Sequence, residues 1–127
     1  MSPKLALSIG AVVAVIFGLL LVFAPGQMLT GFGLSAPVEG IILSRDVGVT
    51  LVGLGIINWL ARDASGSALR GLLVGNLAIQ LFEFLVNGYE LLMGQLPTAA
   101  AGGEVIHIVL GIIFLLALRH TSMPLTV

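Results

Sequence analysis

Residues 5–24 form a run of twenty without one charged side chain, and three more stretches of similar length and apolarity follow at about 37–61, 67–93 and 99–119. Each is close to the roughly 20 residues that carry a helix across a hydrocarbon core of about 30 Å. In that medium every backbone N–H and C=O must be satisfied internally, so only helices or closed barrels can span it. Segments this few, long and continuously apolar cannot close a barrel. The expected fold is therefore all-α: one transmembrane domain over residues 1–127, built as an integral membrane four-helix bundle.

Composition narrows the reading further. Hydrophobic residues make up 58% of the chain, and 17 glycines raise the apolar share again. Only 9% are charged, against about 25% in soluble domains. Eleven charges cannot cover a water-facing surface of 127 residues. A soluble globular domain, a disordered chain and a nucleic-acid binder are excluded on that ground. There is no cysteine, which removes disulfides, thiolate nucleophiles, Cys-ligated zinc and iron–sulfur clusters. The first run reads as a span rather than a signal peptide, being long for an h-region and lacking an A-x-A site before Pro25.

Local signals punctuate the spans. Ala24-Pro25-Gly26 ends the first helix. Gln27 to Ala36, with Met28, Leu29, Phe32 and Leu34 among its residues, is too apolar for an aqueous loop and is expected to lie at the interface. Ser35 before Pro37 reads as a helix start, with Glu39 in the first turn. Ser67 and Thr98 are candidate caps for the third and fourth helices. Gly102-Gly103 is expected to delay or thin the start of the fourth. Lys4, Arg62, Arg70 and Arg119 all fall at one end of the bundle, and the other two loops carry no Lys or Arg. Positive ends face the cytoplasm, so both termini are expected inside, in a cytoplasmic (inner) membrane. Small residues at helix-facing steps (Ala6, Gly10, Ala14, Gly18; Ser44, Gly48, Gly55; Gly71, Gly75) are expected to let the helices pack closely or to serve a homo-oligomer.

The third helix carries Asn76, Gln80, Glu83, Asn87 and Glu90 at steps of 4, 3, 4 and 3. At about 100° per residue these share an arc of roughly 80°. A charged group at mid-membrane costs at least about 2.5–3.5 kcal/mol, so this face must meet the bundle interior, a cavity or another protein. Counting about 1.5 Å per residue from the cytoplasmic ends places Arg45, Asp46, Glu83, Glu104 and His107 in one outer layer, with Glu90 above it. Asn58 and Asn76 form a lower pair. Arg45 is expected to pair with Glu83 or Glu104. Carboxylates outnumber bases there, so one of them should be protonated, hold a cation or meet a partner's positive charge. Glu104 and His107, at i and i+3, share a face. Such a cluster is a buried network that sets helix register, a site for a ligand, ion or proton, or a contact with another subunit. A single E-x-x-H pair falls short of the two pairs and two further Glu of di-metal bundles, so no metal and no cofactor are expected. Trp59 suits a membrane-interface belt, and His120 a solvated tail.

The layout resembles small bacterial four-helix membrane proteins of the DoxX-like kind. The residues that carry the resemblance are Leu21-Val22-Phe23-Ala24-Pro25-Gly26, Arg45-Asp46-Val47-Gly48 and Leu54-Gly55-Ile56-Ile57-Asn58-Trp59-Leu60-Ala61-Arg62. A polar third helix and a histidine in the fourth complete it. The resemblance implies fold and topology over nearly the whole chain. Some members of that group are accessory subunits of quinone-linked oxidation systems.

Three functions compete. The first is a non-catalytic protein in contact with membrane lipid, either an accessory subunit of a larger membrane complex or a binder of a lipid-like or hydrophobic small molecule. The second is a small homo-oligomeric transporter or channel, proton- or ion-linked through Glu83 and Arg45. The third is an intramembrane acid–base enzyme using Glu104, His107 and Glu83. The first is favoured, because the chain offers no catalytic set.

Overall fold

The computed structural model describes residues 1–121. Its helices are α1 (Pro3–Phe23), α2 (Pro25–Gly31), α3 (Val38–Leu60), α4 (Gly66–Leu92) and α5 (Ala101–Thr121), the last preceded by a 3-10 turn at Thr98–Ala100. No strand occurs among the described residues. Four of the helices, all but α2, are long and apolar enough to cross a membrane.

The helix ends follow from local chemistry. Ser2 caps α1, its Oγ accepting from the Leu5 N–H at 3.3 Å, and Pro3 opens the first turn. Pro25 stops α1 and also starts α2, because proline lacks the N–H that an N-terminal turn leaves unused. The segment expected as an interfacial loop thus begins with two helical turns, too short a run for sequence periodicity to reveal. Ser35 does not cap α3; Pro37 holds that position, with Glu39 in the first turn. Ser65, not Ser67, stands at the N-cap of α4. Gly102 and Gly103 lie within α5, and Thr98 opens the turn before it.

The bundle consists of two packed pairs, α1 with α3 and α4 with α5, joined where α1 meets α5. The first pair meets backbone to backbone. A Cβ added at Gly18 would lie 2.7 Å from the Gly48 carbonyl oxygen, and one at Gly48 would lie 2.7 Å from that of Gly18. At Gly55 it would lie 2.9 Å from the Ala11 carbonyl oxygen. The small residues of α1 and α3 therefore do pack. Those of α4 do not: at Gly71 and Gly75 nothing lies within 4 Å of where a Cβ would stand. Small residues permit close approach, but α4 has no helix opposite that face.

Leu7, Leu73 and Phe114 are fully buried and form a core with Ala6, Leu110 and Ala117. These residues come from the start of α1, the start of α4 and the end of α5. The core therefore sits in the half of the bundle where α1 begins and α5 ends. Lys4 Nζ binds Asp63 Oδ1 at 2.7 Å, tying the start of α1 to the α3–α4 turn. Arg62 stacks on Trp59, 4.1 Å from the ring centre. At the distal end, Gly33 (φ +76°) turns the chain after α2 against Pro97 and Ala99.

Candidate binding cavity

Helices α3 and α4 are consecutive in sequence but are not packed along their lengths. A cavity of about 350 Å³ lies between them and is backed by α1 and α5. Asn76 lies at its floor, paired with the buried Asn58 behind it. Asn58 Nδ2 donates to Asn76 Oδ1 and Asn76 Nδ2 donates to Asn58 Oδ1, both at 2.8 Å. Asn76 Nδ2 also donates to the Leu72 carbonyl at 2.9 Å. Both side chains are buried, and the reciprocal amide pair leaves neither desolvated group unmet. The Phe114 ring closes the floor beside Gly10, where a Cβ would lie 2.6 Å from the ring edge.

One turn above the asparagines, Gln80 Oε1 and His107 Nδ1 are 2.9 Å apart. An amide oxygen only accepts, so in this arrangement Nδ1 is the donor to Gln80 Oε1. Among the described residues no protein group bonds Nε2. Glu83 and Asn87 continue the polar ridge up α4. The remaining walls are apolar: Phe17 and Leu21 of α1, Val47, Leu51 and Leu54 of α3, Ile106 and Leu110 of α5. Met28 of α2, with Phe32 and Leu34 after it, roofs the distal end against Leu96.

The polar residues singled out in the sequence divide into four groups. Asn76, Gln80, Glu83, Asn87 and His107 line the floor and one side of the cavity, with Asn58 buried behind Asn76 and Glu83 itself exposed. Glu104 is buried on the far side of the polar ridge. Its carboxylate lies 3.9 Å from where Gly88 would carry a Cβ, and neither oxygen has a hydrogen-bond partner among the described residues. Glu90 is half-buried and does not line the cavity. Arg45 and Asp46 are exposed, and neither forms an ion pair among the described residues.

The expected pairing of Arg45 with Glu83 or Glu104 is therefore not made. Depth alone suggested it, and azimuth forbids it. Val47 and Leu54 point α3 at the cavity, and Arg45 stands roughly 160° from Val47 and 180° from Leu54 at about 100° per residue. What sequence reasoning missed is the apolar wall and the α2 roof. The signal for the roof was the apolarity of Met28 and Phe32 in a segment between helices. Among the described residues no three acidic, histidine or cysteine side chains converge as a metal site would require.

No protein-family model matches this chain, and no curated protein or solved structure matches it.

Proposed function

We propose that this chain is an integral protein of the cytoplasmic (inner) membrane that holds a lipid-like or hydrophobic small molecule between α3 and α4, as a non-catalytic binder or accessory subunit. The observation that carries this reading is the cavity itself: about 350 Å³, apolar on three sides, with a single polar ridge. Pockets of about 300–1,000 Å³ lined by apolar groups with a few placed polar ones are the usual form of small-molecule sites. Such a space fits an amphiphile. Its apolar part lies against Leu51, Leu54 and Phe17. Its polar head meets the His107 ring, with Glu83 and Asn87 alongside.

The unpacked side between α3 and α4 gives the molecule a way in from the lipid phase. Lys4, Arg62, Arg70 and Arg119 at one end of the bundle favour termini on the cytoplasmic side. The resemblance to DoxX-like proteins, some of them accessory subunits, points the same way. A transporter gated by Glu83 and Arg45 has less support, since the two side chains lie on opposite sides of α3.

Native mass spectrometry of the protein extracted gently from its own membrane tests the proposal. A bound molecule of defined mass is expected, and Leu51→Trp, which fills the cavity, should remove it. An empty wild-type protein, or an adduct retained in full by the variant, would count against a ligand in this cavity.

A further inference from the structure

We propose that the outward face of α3 is the interface of a parallel two-fold dimer of this chain, closed by two reciprocal ion pairs, Arg45 of each copy with Asp46 of the other. The inference needs α3 to lie in a membrane, but it does not depend on what the cavity holds.

Two charged side chains stand on the lipid side of a span, with no ion-pair partner among the described residues. Arg45 lies seven residues into α3, roughly 10 Å from its distal end, and is long enough to reach toward that surface. Asp46 is one step deeper and has a short side chain that cannot. An exposed acid at that depth calls for a cation supplied from outside the chain.

The pattern around these residues says which cation. Ile42, Val49 and Ile56 recur at heptad spacing and are 53%, 63% and 50% exposed, and Leu60 is 76% exposed. With Val49 taken as the centre of the face, Ile42, Ile56 and Leu60 fall within about 20° of it. Arg45 falls about 40° to one side, and Asp46 about 60° to the other. Two copies inserted in the same sense and related by a two-fold axis along the membrane normal present residue i of each at the same depth. The left flank of one α3 then meets the right flank of the other. Arg45 meets Asp46 twice, and Ile42, Val49 and Ile56 form the seam between. Gly53, with no atom near its Cβ position, lets the two backbones approach. A partner with a different sequence would have to supply both charges in the mirrored order; a second copy does so by symmetry.

The chain has no cysteine, so a single introduced thiol reports contacts cleanly. Oxidation of the membrane fraction should cross-link Val49→Cys, Ile42→Cys and Ile56→Cys into dimers. It should leave Leu81→Cys, on the exposed side of α4, monomeric. Charge exchange provides the second test. Arg45→Asp makes the flanks all acidic and Asp46→Arg makes them all basic, so neither variant should capture a second copy of itself. Co-expressed with different tags, the two should capture each other. Absence of a Val49→Cys dimer in protein recovered from the membrane, equal cross-linking at Leu81→Cys, or cross-linking to a different protein would overturn the proposal. So would failure of the two charge variants to associate. Recovery in the membrane fraction tests insertion separately, and an empty cavity would leave these results untouched.

Discussion

The α1–α3 and α4–α5 pairs both run antiparallel and both contain glycines, yet they are held together differently. Gly18 and Gly48 bring α1 and α3 into backbone contact along a continuous seam. Gly71 and Gly75 of α4, and Gly102 and Gly103 of α5, have no neighbour within 4 Å of a Cβ position. The second pair is joined instead by large side chains such as Leu73, Leu110 and Phe114, and by the Gln80–His107 hydrogen bond. A glycine tightens a helix pair only when another small residue or bare backbone lies opposite it. The first pair is therefore a closed unit. The second leaves α4 free on its polar side, and that side becomes the cavity wall.

The strongest test of the contrast is overpacking. Gly48→Leu places a Cβ 2.7 Å from a backbone oxygen, and no side-chain rotation relieves that contact. Inserting bulk into a packed interface costs about 1–3 kcal/mol and sometimes more; here we expect the upper end, read as a fall in melting temperature in detergent. Gly75→Leu should cost nothing measurable. Similar losses for both variants would mean that α4 packs through its glycines after all.

The asparagine pair is a hydrogen-bonded side-chain bridge between the two pairs, and it should come next in size. Asn58→Leu leaves the buried Asn76 amide with only its Leu72 bond. A stranded buried polar group costs about 1–3 kcal/mol, and interhelical bonds in membrane bundles fall near the low end. The double variant Asn58→Leu, Asn76→Leu should recover most of the loss, so the two changes will not add. Additive losses would mean that the two amides act independently of each other.

Much of this arrangement was legible in the sequence because it depends on one-dimensional periodicity. The four long helices, the small-residue faces of α1 and α3 (though not which helices they join) and the shared arc of Asn76, Gln80, Glu83 and Asn87 all follow from residue spacing. Depth was legible too, which is why Asn58 and Asn76 could be read as one lower pair. Azimuth between helices was not. Nothing in the spacing says which side of α3 faces α4, so Arg45 and Glu83 could be placed at one height and still point apart. For the same reason Glu104, one turn from His107, turns toward Gly88 while His107 meets Gln80.

That placement of Glu104 gives a third prediction, opposite in sign. Both of its oxygens are buried without a partner among the described residues. Glu104→Leu removes the two unmet acceptors and should raise stability by about 1 kcal/mol. A loss instead would show that the carboxylate is satisfied by a group supplied from outside the chain, such as a bound molecule. Repeating the measurement on protein stripped of lipid would separate those cases.

The smallest effect lies at the end of the bundle where the Lys4–Asp63 contact at 2.7 Å ties the start of α1 to the α3–α4 turn. The Lys4 hydrogen bond holds the Asp63 carboxyl below its ordinary pKa of 3.8. A carboxyl lowered in the folded state stabilises above its unfolded pKa, and that contribution is lost as pH falls through the folded value. Asp63 is exposed, so solvent screens the pair and the effect is slight. The melting-temperature gap between wild type and Asp63→Asn should be constant from neutral pH to about pH 5 and close below about pH 4. It should also shrink in high salt. A gap that persisted at low pH would mean that Asp63 acts through its shape in the α3–α4 turn rather than through its charge.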